Sequence, residues 1–188
     1  MGIILNVKLY EVFSGSAGEF GHISVDDHGP LCECGNLGCL EAIASTQAVV
    51  KQAKNLLLEG VSSSLLMMVD RELDKLEFDH ICQAANSSDK LAYNLIDKMG
   101  QNLGEGIVTL INLFNPERII IGGKIGCAKN LVFTSIMNIV QKRALEIPRR
   151  NTEIVFSNMG SNSGTIGATV PIIDEFFKNQ VNNFFDEK

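Results

Sequence analysis

The residues best able to do chemistry crowd into one stretch, "GEFGHISVDDHGPLCECGNLGCLEAIAS", residues 18–45. Three of the chain's five cysteines lie there, Cys32, Cys34 and Cys39, preceded by His22. Three thiolates and an imidazole are the donor types and the donor number of a tetrahedral zinc site. The Cys-x-Cys step bends two sulfurs to one side, and Gly35 and Gly38 let the chain turn back to deliver the third. Four protein ligands would close the coordination sphere, so the predicted site is structural rather than hydrolytic. His28 competes with His22 for the fourth position, and spacing alone leaves that open. A disulfide between Cys32 and Cys34 is disfavoured, because so short a spacing places the two sulfurs poorly.

The elements that must position these residues can be read around them. "GIILN" and "KLYEVF" (2–6 and 8–13) predict two short strands joined by a tight turn, and "GHISV" (21–25) a third. "LEAIASTQAVVKQAKNLLLEG" carries apolar residues at 43, 49, 50, 53, 56 and 57 with Gly60 as a stop, which predicts a helix. Glu41 then sits at the start of a long helix, where the helix dipole favours a carboxylate. Residues 61–78 read as a loop with a short helix behind Ser62–Ser64, and Asp79 as the cap of a helix running through Asn86.

Leu91, Leu95, Met99, Leu103, Ile107 and Ile111 recur every four residues and predict a long helix with one buried face, closed by Asn115-Pro116. Gly100, Gly104 and Gly106 weaken it locally and admit a close backbone neighbour. "RIIIGG" (118–123) predicts a buried strand, followed by a glycine turn and a helix near 129–145. "EIVFS" (153–157) predicts another strand. A closing helix around 164–180 places Ile166, Val170, Ile173 and Phe177 on one side. A meander followed by alternating helices and strands is the pattern of an α/β layered domain.

Composition narrows the function. The 188 residues are 45% hydrophobic and 20% charged, enough to bury a sizeable core. Net charge is −6 and the longest basic cluster is Arg149-Arg150, too little for a nucleic-acid face. The apolar run Leu65–Val69 is far short of the roughly 18 residues a membrane span needs. The opening residues read as strands and not as a secretory leader. Cys82 and Cys127 stand alone on apolar stretches, and this cysteine usage fits a reducing, cytoplasmic setting.

"GEFGHISV…GPLCECGNLGCLE", with Glu-x-Gly-His and Cys-x-Cys-Gly-x-x-Gly-Cys-x-Glu, resembles the signature region of the ROK family (repressors, open reading frames and kinases). The resemblance continues through "NLGEGIVTLINLFNPERIIIGG" and "GTIGA". It implies an actin-like (ribonuclease H-like) α/β domain, a mixed β-sheet with flanking helices and a zinc-braced loop at 22–39. Residues 1–188 would be the C-terminal ROK domain, incomplete on its N-terminal side. Glu19, His22 and Glu41 match the family's sugar-contacting positions. His22 would then serve twice, with one ring nitrogen on zinc and the other toward a sugar hydroxyl. Ionised carboxylates suit such a ligand, because they accept directional, charge-assisted hydrogen bonds from hydroxyls. Gly122, Gly123, Gly164 and Gly167 match the family's nucleotide-facing region, although glycine pairs also make ordinary strand-to-helix turns.

The departures from the family are informative. The chain has no Asp-x-Gly-Gly-Thr-like phosphate loop and no Asn-Asp pair for a catalytic base, both of which sugar phosphorylation needs. Family members usually carry Asn-Gly at the hairpin where this chain has Asn6-Val7, and glycine is common where Val12 stands. By alignment the first strand of the domain should end just before Met1, leaving an unpaired gap in the sheet.

The expected function is therefore the sugar-binding effector domain of a ROK transcriptional repressor of the xylose or N-acetylglucosamine type. The alternative is the C-terminal half of an ATP-dependent hexose kinase of the glucokinase or N-acetylmannosamine kinase type. This chain alone is expected to have no kinase activity. The expected cofactor is structural zinc, with ATP only if the parent is a kinase. The expected partners are a sugar or sugar phosphate, a second copy of the chain, and DNA only through a separate N-terminal domain, with no membrane.

Overall fold

A short antiparallel hairpin opens the chain, β1 (Ile4–Leu5) and β2 (Lys8–Leu9), with Ile4 opposite Leu9 and Leu5 opposite Lys8. The coordinates are a computed structural model that describes residues 1–10, 12–160 and 163–186, with side chains for all of these except 174, 175 and 178–186. The strands are shorter than predicted, although a bond from the Tyr10 amide to the Ile3 carbonyl extends the pairing by one step. At the turn Asn6 and Val7 both have positive φ, 51° and 65°. Two such residues make the type I′ geometry that fits a two-residue hairpin. The sequence thus keeps the turn despite a β-branched residue, at a cost of roughly 1–3 kcal/mol.

The predicted third strand does not form. Phe20–His22 is instead a turn of 3₁₀ helix, and Ser24 makes a single bridge to Cys39. The backbone groups of 23–25 bond to the cysteine loop and not to a neighbouring strand, so no ladder can propagate. The predicted helix from residue 40 is broken in two. α1 (Leu40–Ala44) stops where Ser45 turns extended, and α2 (Thr46–Leu58) starts with the Ser45 hydroxyl accepting from the Ala48 amide. A serine that caps one helix ends the one before it.

α3 (Leu65–Met68) is the short helix expected behind Ser62–Ser64. α4 (Phe78–Asn86) is capped at Glu77, whose amide donates to Nδ1 of His80; Asp79 lies inside the first turn and is not the cap. α5 (Lys90–Phe114) spans roughly 37 Å at 1.5 Å per residue. Asp89 caps it, and Asn115 ends it in the left-handed conformation, φ 44°. β3 (Arg118–Ile121) leads through a further 3₁₀ turn, Lys124–Ala128, into α6 (Lys129–Arg143). α7 (Glu146–Asn151), which the sequence reading missed, carries Pro148 in its first turn, where a missing amide is tolerated. β4 (Glu153–Phe156) pairs parallel with β3, and α8 (Ser163–Asp186) closes the chain.

The fold is α/β in content, but the described strands form two separate two-stranded sheets and not one mixed sheet. Among the described residues neither β1 nor β3 has a second partner, so each pair leaves open edges. The core is mainly helical. Leu65, Ile81, Ile96, Ile111, Val132 and Ile136 are all but inaccessible where α3, α4, α5 and α6 meet. Gly100 and Gly104 make the α5–α6 contact close: a Cβ at Gly100 would stand 2.6 Å from Cβ of Ser135, and one at Gly104 would stand 2.8 Å from Cβ of Ile139.

Ile166, Val170, Ile173 and Phe177 of α8 are 43%, 54%, 53% and 60% exposed. One expectation is corrected here. Cys82 and Cys127 do not stand alone. Forty-five residues apart in sequence, they are joined by a disulfide because α4 packs against the 3₁₀ turn after β3, with the two Cα atoms 6.0 Å apart. Among the described residues no helix is long and apolar enough to cross a membrane.

Candidate functional site

The loop between the first 3₁₀ turn and α1 is knitted by its own backbone. The Val25 amide bonds to the Gly38 carbonyl and the Leu40 amide to the Ile23 carbonyl, each at 2.9 Å. Cys32 and Asn36, and Pro30 and Gly38, close the turns between. Gly38 has φ 62°, and a Cβ there would run into the carbonyl of Asp26, so this turn requires glycine.

This folding gathers His22, Cys32, Cys34 and Cys39. One ligand atom from each lies within 4.8 Å of the other three. Nδ1 of His22 is 3.6 Å from Sγ of Cys32, and Sγ of Cys34 is 3.5 Å from Sγ of Cys39. A tetrahedron with Zn–S near 2.3 Å and Zn–N near 2.05 Å has edges of about 3.6–3.8 Å, so the donor set and its spacing fit zinc. His28 is outside the group. It lies on the exposed loop, with its amide donating to Asp26 Oδ1 at 3.0 Å. The thiols perturb one another. The Asn36 backbone N–H, helped by the neighbouring thiols and His22, lowers Cys34 to about 7 against the opposing effect of burial. Burial, reinforced by Cys34 and Cys32, pushes Cys39 up to about 12. Three thiolates this close need a cation between them.

The other edge of the His22 ring faces two carboxylates. Nε2 is 3.7 Å from Glu19 Oε2 and 3.7 Å from Glu41 Oε2. Both carboxylates are more than half exposed, so the three groups line an open site. Glu41 reaches this position because residue 21 is glycine: a Cβ there would stand 3.1 Å from Glu41 Oε2 and 3.3 Å from its Cβ. Glu41 rides on the five-residue α1 and not on a long helix, so the dipole contribution is smaller than the sequence suggested. Phe20 and Leu40 anchor both ends on α5 at Gly106, where a Cβ would meet Phe20 Cζ at 2.8 Å and Leu40 Cδ2 at 2.9 Å. No local pattern marks Phe20, Gly21 or Leu40 as positioning residues, and Gly106 reads from sequence only as a place of close approach.

Of the four further glycines, two follow β3 and two lie at the start of α8. Gly122 lies against Ser163 and Ser157, at 3.6 and 3.8 Å from the position of a Cβ. Gly123 has φ 92° and opens the turn into Lys124–Ala128. Gly164 and Gly167 lie in the first two turns of α8 with no atom within 4 Å of a Cβ position. Beside Gly123, a cavity of about 480 Å³ is lined by Thr46, Gln47, Val50, Lys51, Lys54 and Lys124, with Leu76 and Phe78 among its apolar residues. Lys51 and Lys54 come from α2 and Lys124 from the turn after β3, so no single sequence motif announces it.

Comparison with known proteins places this geometry. The model of the ROK family matches residues 1–175. The DNA-binding transcriptional dual regulator NagC of Escherichia coli K12 is 39% identical over 167 residues, which are 89% of this chain and 39% of NagC. The crystal structure of a ROK family transcriptional regulator, a homolog of the E. coli MLC protein, superposes with a TM-score of 0.74 at 37% identity, over 82% of this chain and 38% of that one. A ROK family glucokinase from Streptomyces griseus in complex with glucose and AMPPNP gives 0.76 at 34% identity, over 89% and 55%. The chain thus spans about two fifths of the regulators it matches.

Proposed function

The chain belongs to the ROK family, nearer its repressors than its glucokinases, and on that premise we propose that it is the zinc-braced, sugar-binding effector portion of a transcriptional regulator. The observation that carries the reading is the His22 ring, with Nδ1 toward the cysteines and Nε2 between Glu19 and Glu41. His22, Cys32, Cys34 and Cys39 would hold the zinc ion, which when bound contributes folding free energy to the loop. With Nδ1 committed to the metal side, Nε2 carries the proton and donates. One donor between two carboxylate acceptors matches adjacent hydroxyls of a sugar, each able to give and accept a hydrogen bond. The ligand is a sugar or sugar phosphate. The parent works in the cytoplasm as a homo-oligomer, and it contacts DNA through a segment other than this acidic chain.

A second reading keeps the same site in an ATP-dependent hexose kinase. It is favoured by the lysine-lined cavity beside Gly123 and by the likeness to a glucokinase solved with a nucleotide analogue. In this second reading the catalytic base and phosphate cradle would come from elsewhere in the parent; in either reading this chain alone turns over no ATP. Titration calorimetry on the parent protein with glucose, xylose, N-acetylglucosamine and its 6-phosphate tests the reading. One of these should bind, and Glu41→Gln should weaken it by roughly 1.5–3 kcal/mol, the range for a hydrogen bond to a charged group. Undiminished binding in Glu41→Gln would remove the site from the account. Sugar-dependent ATP turnover by the parent would favour the second reading.

A further inference from the structure

We propose that Cys82 and Cys127 are a reversible thiol–disulfide switch that clamps α4 to the turn after β3 and so fixes two walls of the lysine-lined cavity. The two cysteines are apart from the His22 cluster, whose three thiols are free. Their Cα separation of 6.0 Å lies within the range that a disulfide spans without backbone rearrangement. The elements they join are also held by apolar packing: Phe78 and Ile81 on α4, and Ile125 and Ala128 on the 3₁₀ turn, are buried in one core. The contact therefore survives without the bond, and reduction loosens the junction without dismantling it.

The position of the bond gives it leverage. Phe78 and Cys82 are four residues apart on α4 and share a face. Lys124 and Cys127 are three apart in the 3₁₀ turn, which is one turn of that helix. Phe78 and Lys124 both line the cavity. The sulfur bridge thus sits one helical turn behind the cavity on both walls, and tying it sets how far the lysine can move from the phenylalanine.

The chemistry balances as an exchange with a low-molecular-weight disulfide, RSSR. Cys127 is exposed and Cys82 is 3% exposed, so the Cys127 thiolate attacks first and releases one RS⁻. The Cys82 thiolate then displaces the second RS⁻ from the mixed disulfide. The pair loses two electrons and two protons, and RSSR becomes two RSH. A dithiol reverses both steps.

The test is hydrogen exchange with non-reducing peptide mapping on the full chain, equilibrated with zinc in glutathione buffers from reduced to oxidised. The expected result is a Cys82–Cys127 cross-link that forms and reverses, with amides of 77–86 and 122–128 exchanging several-fold more slowly when oxidised while 22–41 is unchanged. Cys127→Ser, at an exposed position that tolerates serine, should show the faster rates in every buffer, and Cys82→Ala should do the same by removing the other partner. Failure to form the cross-link in the oxidised buffer, or identical exchange in both states, would overturn the proposal. So would slowing that persists in either variant.

Discussion

Nδ1 of His22 faces Sγ of Cys32 at 3.6 Å, and this contact joins the ring that borders the open carboxylates to the loop that holds the thiols. Any disturbance of the loop is therefore transmitted to the ring. Cys34 touches neither carboxylate, yet Cys34→Ser should lower zinc from one equivalent per chain toward none and loosen residues 22–41, because the ligand set stabilises the loop only when complete. Elemental analysis with limited proteolysis checks this. Metal retained at one equivalent in the variant would exclude Cys34 as a ligand.

Two glycines of α5 should respond differently to alanine. At Gly100 the added Cβ meets Cβ of Ser135 and the Val132 carbonyl, which cannot swing aside. Overpacking of about 1–3 kcal/mol should then outweigh the helix-propensity gain of about 1 kcal/mol. At Gly106 the neighbours are the ends of Phe20 and Leu40, which can rotate. Gly106→Ala should keep nearly the original melting temperature but release zinc faster, because Phe20 lies between Glu19 and His22. Thermal melts paired with metal-release kinetics separate the two outcomes.

Asp89 should make stability fall in acid. Burial raises its pKa, but the Ala92 and Ser64 amides and the Ser64 and Ser63 hydroxyls donate to it and bring the net value below the ordinary 3.8. A carboxyl whose folded pKa is depressed contributes stability that is complete above its unfolded pKa and is lost as pH falls through the folded value. Asp89→Ala should cost about 1–2 kcal/mol at neutral pH as a lost helix cap. The gap between wild type and variant should close below about pH 3.8. Denaturant melts across pH measure that gap directly, and a gap that stays constant into acid would contradict the assignment.

The periodic helices and the gathering of His22 with three cysteines were legible in the sequence because each rests on short-range pattern. Leu91 through Ile111 fixes the face of α5 at four-residue spacing, and the Cys-x-Cys-Gly turn is local. The misses are places where distant partners decide. Residues 23–25 read as a strand by type, but their backbone groups are taken by the cysteine loop. Ser45 reads as one polar residue within a helix, whereas its hydroxyl caps the next one. Cys82 and Cys127 meet only because α4 docks beside the turn after β3, which no local pattern records. Val7 keeps its type I′ turn although its side chain disfavours positive φ, since the strands on both sides close the hairpin around it.

Exposed apolar groups at the strand edges and on α8 should drive association. Ile4 is 71% exposed, Ile120 64% and Phe176 57%, and covering one such phenylalanine is worth roughly 1.5–3 kcal/mol. Light scattering on the isolated chain should find dimers or larger species whose fraction rises with concentration. A monodisperse monomer that melts cooperatively above about 65 °C, beyond the usual mesophile range, would show these surfaces to be covered within one chain.

The central claim, that one histidine couples the metal loop to a sugar site, is tested most directly by measuring sugar affinity of the parent protein before chelation, after it, and after zinc is restored. The account predicts that affinity collapses when the metal is removed and returns with it, because Nε2 of His22 is oriented from the metal side. Sugar affinity that is unchanged in zinc-free protein would contradict it.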